Sequence, residues 1–309
     1  MFSVHFWDAV IDQVTAAFYD DKLTPPWWMI PRTHMKRMRL SRKINTELKS
    51  IVQRNFNNRH HETSKSILAL SLRDLDNLTP DFMEETCDQL RTFLFAGHDT
   101  TSTLVNIAMY ELSRTPRALQ AVRDELIKLF GSEAVHEPDA IRERLLSPGG
   151  DSLIHQMPYI SAVMKEVLRL YPPAGSVRAA KDGAGMVVKT DQGEYCLDGN
   201  WVYVNHYIIH RDPAVYGETA NDFVPERWLE RDSSQAASTW RPFERGPRNC
   251  IGLELANIEA RAIIAMLACR YRFEKVGVGA VARDGNGEGT LNEQGQYLTE
   301  SELYLVRNY

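Results

Sequence analysis

The segment Phe243 to Gly252, FERGPRNCIG, stands directly before a long apolar helical pattern. A cysteine at the start of a helix has its thiolate favoured by free backbone N–H groups and the positive end of the helix dipole, which suits a soft, anionic metal ligand. Cys250 holds that place, while Gly246 and Gly252 let the backbone approach a flat ligand and turn into the helix. Arg248 adds a permanent cation for a carboxylate. Taken alone, a single cysteine is more often a small core residue than a ligand.

Two further groupings could take part in chemistry. In FLFAGHDTTS, Ala96, Gly97, His98, Asp99, Thr100 and Thr101 interrupt an apolar helical stretch. A glycine beside a threonine hydroxyl can open the helical hydrogen-bond ladder and leave room for a small molecule, and the Asp99 carboxyl could then relay protons while the Thr100 hydroxyl holds that molecule. The plain alternative is a polar patch on a helix. In KEVLRL, Glu166 and Arg169 are three apart and share a helix face, although most such pairs are solvated surface contacts.

The elements that must position these residues are legible from punctuation and periodicity. Thr79 before Pro80, with Asp81, Glu84 and Glu85 in the first turn, is a helix start, and no proline follows until Pro116. The resulting helix, about 80–114, would be roughly 50 Å long at 1.5 Å per residue and has Gly97 near its centre. Further helices are expected over Pro116–Phe130, Pro158–Leu170 and Ile251–Arg270. An earlier one is expected over Phe2–Tyr19, where Val4, Trp7, Val10, Ile11, Val14 and Phe18 recur. MVVKT and EYCLDGNWVYVN read as hairpin-like strands separated by Gln192 and Gly193, and LYLVRN near the end as another strand. The stretch from Val204 to Gly252 looks irregular, and Gly277 to Gly289 looks like an exposed loop. The fold class is therefore mainly α with small β-sheets (α+β), taken as a single domain over 1–309.

Composition narrows the function. With 309 residues, 43% hydrophobic and 25% charged, the chain can bury one large core or two smaller ones. A formal charge of −5, spread along the chain, argues against broad nucleic-acid binding. Cys87, Cys196 and Cys269 form no zinc or disulfide framework with Cys250, which suggests a reducing compartment. No GxSxG, HExxH or paired CxxC is present, so a hydrolase or zinc enzyme has no support. No apolar run reaches the roughly 18 residues of a membrane span, and MFSVHFWDAVIDQ lacks the features of a signal peptide. Trp27 to Ile30 beside the basic stretch Arg32–Lys43 would suit a membrane surface, or else a packed loop followed by a solvated helix face.

The FxxGxRxCxG arrangement resembles the haem-ligand loop of the cytochrome P-450 family. The other motifs match that family in order: AGHDTT in the middle of a long distal helix, ExxR at Glu166 and Arg169, PPxxxxR from Pro172 to Arg178, and HRDP to PERW, ending at Trp228. The resemblance implies haem b, with Cys250 as the axial thiolate of its iron and thiolate donation favouring O–O cleavage. It implies Arg178 and Arg248 at the propionates, and Phe243, Gly246, Gly252, Ala96 and Gly97 lining the cofactor. Asp99 and Thr100 would be catalytic, and Glu166, Arg169 and Arg227 would form a structural network. His98 sits at a variable position of its motif, and His210 is expected to pack. Phe95, Ala96, Thr100 and Ala174 to Val177 would meet substrate.

The implied activity inserts one oxygen atom from O2 into a lipophilic small molecule, in fungal secondary metabolism. NADPH-cytochrome P-450 reductase would be the electron donor to a monomer on the cytoplasmic face of the endoplasmic reticulum membrane. The chain departs from the family pattern in starting only a little before the long distal helix and in showing no WxxxR helix. The fold is thus expected to lack its N-terminal portion, and the alternative function is a truncated, catalytically inactive haem-binding protein.

Overall fold

The computed structural model describes residues 28, 31–60, 66–132, 139–229, 239–274 and 280–299. They belong to two compact units, residues 1–99 and 100–309. The helix expected over Phe2–Tyr19, the strand expected at LYLVRN, and Trp27, Met29 and Ile30 lie outside the described residues.

The described residues of the first unit are mainly helical. Helix α1 (Pro31–Asn58) is followed by the short α2 (Ile67–Leu72) and by the beginning of α3 (Pro80–Arg114). Ile44, Leu48 and Val52 recur every four residues on α1 and are buried with Leu72 and Cys87, as an amphipathic stripe requires. Burial pushes the Cys87 thiol up from its usual range. The expected cap at Thr79 is made, its hydroxyl accepting the Phe82 N–H at 3.3 Å. In the basic half of α1, Met35 and Met38 are exposed, as is Trp28 before it.

The second unit takes α3 onward to Arg114 and adds α4 (Pro116–Phe130), α5 (Ala140–Leu146), α6 (Gly150–Ile154), α7 (Pro158–Leu170) and, later in the chain, α10 (Leu253–Arg270). Ala118, Val122, Leu126 and Phe130 give α4 one buried stripe. Helix α7 is buried almost all round, from Ile160 to Leu170, which places it at the centre of this core. The N–H groups of its first turn, partly buried, are satisfied from α4. The Glu125 carboxylate accepts the N–H groups of Tyr159 at 2.7 Å and Ile160 at 3.0 Å.

Four short strands follow. β1 (Ser176–Ala179) pairs antiparallel with β4 (Trp201–Val204), with Val177 opposite Tyr203 and Arg178 opposite Val202. β2 (Val187–Thr190) pairs with β3 (Gly193–Cys196) across the turn at Gln192. The stretch read as irregular contains the short helices α8 (His206–Ile209) and α9 (Pro213–Tyr216), then 3-10 turns at Gly217–Thr219 and Pro225–Trp228. Asn205 and Asp212 cap α8 and α9 through their side chains. The expected exposed loop is corrected in part. Residues 284–288 are exposed, but Ala282 is buried, and Val281 and Arg283 bridge to Thr299 and Gly289.

Replacing Glu125 by alanine should cost about 1–3 kcal/mol in urea unfolding, the penalty for leaving two partly buried N–H donors without an acceptor. Glu125→Gln, which keeps a carbonyl oxygen there, should cost less.

Candidate functional site

The site is built on a buried ion pair. Glu166 and Arg169 on α7 are both 0% exposed, and they meet in a two-pronged contact, Nε to Oε2 at 2.9 Å and Nη2 to Oε1 at 2.8 Å. The other Arg169 donors go to backbone carbonyls: Nη1 to His210 at 3.0 Å and to Ala220, and Nη2 to Asp222 at 2.9 Å. All five guanidinium N–H groups are thereby used. Glu166 also accepts from the Val224 N–H at 2.9 Å, from Arg227 Nε at 3.0 Å and from Trp228 Nε1 at 2.8 Å. Arg227 donates onward to the Thr219 carbonyl at 2.9 Å. Glu166 thus bonds directly to both other residues of the expected network, Arg169 and Arg227. Trp228 joins them unforeseen, because sequence spacing carries no sign of which indole meets which acid.

This network fixes the stretch that leads to the cysteine loop. His210 accepts the Arg241 N–H on Nε2 at 3.0 Å, and Trp240 donates to the Lys165 carbonyl at 3.0 Å. The Trp240 ring stands edge-on to both Trp228 and Phe243. His210 packs, fully buried, in parallel stacking with His206 at 5.5 Å. Burial, aided by the neighbouring His206, pulls the His210 imidazole down to about 4.

The loop itself is tightly closed. The Phe243 carbonyl accepts the Cys250 N–H at 2.9 Å and the Gly246 carbonyl accepts the Asn249 N–H at 3.1 Å. Two left-handed residues make this possible, Glu244 at φ 58° and Gly246 at φ 81°. Arg248 and Cys250 are exposed, Ile251 is 89% exposed, and Gly252 precedes the first turn of α10. A side chain at Gly252 would stand 3.9 Å from Cys250 Sγ.

Arg178 sits on β1, donates to the Val177 carbonyl at 3.0 Å, and lies 3.9 Å from a Glu244 carboxylate oxygen with its side chain 50% exposed. Glu244 was not among the residues expected from the motif. Its carboxylate receives Ser176 Oγ, Arg241 Nη2 at 2.8 Å and His206 Nε2 at 2.8 Å. Burial works against its ionisation, but these hydrogen bonds outweigh it and hold the carboxyl at about 2.

On α3, Ala96, Gly97, His98 and Asp99 are exposed, Thr100 is half-buried and Thr101 is buried. The helix runs through Gly97 without a break, and a Cβ added there would meet nothing within 4 Å.

These residues fit an iron porphyrin. Cys250 offers one exposed soft donor, and among the described residues no cluster of three or more His, Cys, Asp or Glu could hold a bare metal ion. A single protein ligand suits a metal that brings its remaining donors in a macrocycle. Arg178 and Arg248, both exposed, suit its carboxylates.

The family model Cytochrome P450 matches residues 5–298, and the chain belongs to that family. It is 28% identical over 268 residues to cytochrome P450 monooxygenase acrF of Aspergillus aculeatus, covering 79% of this chain and 53% of the relative. It is 32% identical over 222 residues to cytochrome P450 monooxygenase polC of Polytolypa hystricis, covering 71% of this chain and 38% of the relative. A crystal structure of a cytochrome P450, CYP102L1, superposes with a TM-score of 0.69 at 22% identity, over 96% of this chain and 62% of that one, and shares the fold. Relative to acrF, this chain spans about half the length, 53%. No described helix is long and apolar enough to cross a membrane.

Two predictions follow from the buried groups. Glu166→Ala strands the Arg169 cation and should cost about 3–5 kcal/mol in denaturant unfolding, whereas Glu166→Gln, which keeps a side-chain carbonyl to accept hydrogen bonds there, should cost less. His210 is neutral in the fold and has an ordinary value of 6.5 when unfolded, so stability present above pH 6.5 should be lost as pH falls toward about 4. The slope should reach about 1.4 kcal/mol per pH unit, and urea titrations of His210→Gln at pH 7.5, 6 and 5 should lack it.

Proposed function

We propose that this chain is the haem-binding part of a monooxygenase, with Cys250 as the axial ligand of haem b. The observation that carries the reading is the exposed Cys250 thiol on a closed loop, its N–H bonded to the Phe243 carbonyl, at the entry to α10. Bound there, the haem iron would activate O2 so that one oxygen atom enters a substrate C–H or C=C bond, chemistry that a thiolate ligand favours.

The chain's own residues take the remaining roles. Arg178 and Arg248 would pair with the cofactor's carboxylates, and Phe243, Gly246, Gly252, Ala96 and Gly97 would line it. The Asp99 carboxyl would relay a proton and the Thr100 hydroxyl would hydrogen-bond the oxygen being activated. Glu166, Arg169 and Arg227 would keep the loop in place through the buried network. Phe95 and Ala174 to Val177 would touch a lipophilic substrate. The family and the two fungal monooxygenase relatives support a role in fungal secondary metabolism, with NADPH-cytochrome P-450 reductase as electron donor to a monomer. The resemblance to eukaryotic members supports the cytoplasmic face of the endoplasmic reticulum membrane as its location.

The test is a carbon-monoxide difference spectrum of the reduced, haem-reconstituted chain beside Cys250→Ala. A red-shifted, thiolate-type band is expected in the first and absent from the second. A band that survives the substitution would sink the ligand assignment. A normal band with no NADPH-dependent product in the presence of reductase would favour a haem-binding protein without turnover.

A further inference from the structure

Glu244 carries an unusual combination of backbone and side-chain features. It is the one non-glycine residue with positive φ among the described residues, at 58°, a conformation that L side chains seldom adopt unless their surroundings hold them in it. Its carboxylate, only 12% exposed, receives donors from three separate pieces of chain. Ser176 comes from β1, His206 from α8, and Arg241 from the segment that enters the loop, while the Arg178 guanidinium of β1 stands 3.9 Å away. His206 adds a second link: its Nδ1 meets the Ala174 carbonyl at 2.8 Å while its Nε2 meets Glu244, so making both bonds takes both ring N–H groups. The loop and the segment before β1 are therefore tied to the same imidazole.

The left-handed turn and the acid belong together. Next to it, Phe243 supplies the carbonyl that accepts the Cys250 N–H. Any shift of residue 244 therefore moves the acceptor that closes the cysteine loop.

We propose that Glu244 is a positioning residue of the cysteine loop: its carboxylate pins the loop entry to β1 and α8, presents Cys250 in a single backbone geometry, and stands near Arg178, whose side chain keeps half its surface open to an anionic ligand. The functional meaning of this clamp rests on the reading of Cys250 as a ligand. The clamp itself does not.

The experiment is residue-resolved hydrogen exchange on the full chain without haem, for the wild type, Glu244→Ala, Glu244→Gly, Glu244→Gln and Ser176→Ala. Exchange of the Cys250 amide should rise about ten- to a hundredfold in the alanine variant, the range for losing hydrogen bonds to a charged acceptor. Glycine, which relieves the backbone but removes the carboxylate, should rise as alanine does. Glutamine should restore most of the protection, Ser176→Ala should give a smaller rise than alanine, and the amides of 260–265 in α10 should keep their wild-type rates. Unchanged Cys250 exchange in Glu244→Ala would overturn the proposal, and so would equal acceleration in the loop and in α10, which would make Glu244 a general fold residue. Because these rates are read without haem, a chain that binds no haem leaves the result intact and counts only against the ligand reading. In chains that do take up haem, the share of thiolate-type carbon-monoxide band should fall in Glu244→Ala and recover in Glu244→Gln.

Discussion

The buried pair Glu166–Arg169 is the constraint from which the rest of the second unit can be read. Two opposite charges at 0% exposure are tolerable only if each finds partners for all of its polar atoms. Helix α7 can supply only the pair itself. The remaining donors and acceptors must come from elsewhere, and they come from His210, Ala220, Asp222, Val224, Arg227 and Trp228. A stretch without long helices or strands thus has a path set by the needs of one guanidinium and one carboxylate.

That path determines where the cysteine loop begins. Trp228 touches Trp240, which touches Phe243, and His210 takes the Arg241 N–H. Rigidity passes from a saturated ion pair through aromatic edges to the residue whose carbonyl accepts from Cys250. Glu244 supplies a second support from the other side, where β1 and α8 converge. A thiol that is exposed, on a loop with two left-handed residues, is therefore held by groups that are themselves mostly buried.

Features set by local chemistry were readable in the sequence. Thr79 with Pro80 marked the start of α3, and Pro158 with Pro172 bracketed α7, because capping and proline act over a few residues. The β2–β3 hairpin was readable for the same reason. The motif residues were readable by resemblance, and three of them, Glu166, Arg169 and Arg227, lie in contact. Strand β1 was not foreseen, since SVRA has no alternation of its own and is a strand only by pairing with Trp201–Val204. His206, Trp228 and Glu244 were also missed as partners. Their importance depends on residues 38 to 68 positions away, a separation that no local pattern encodes. One sign was available: a glutamate two residues before Gly246 sits where a tight turn would favour glycine or asparagine.

Burial sorts the charged residues into two kinds. Arg169 spends all five of its N–H groups on the protein and has nothing left for a ligand. Arg178 is half exposed, makes one backbone hydrogen bond, and meets Glu244 at 3.9 Å, beyond hydrogen-bond range. A loose, partly solvated contact of that kind is worth little by itself, so exchanging it for a better anionic partner costs little. Glu166 and Arg169, buried and saturated, build the frame, and the half-exposed Arg178 keeps capacity to bind an anion.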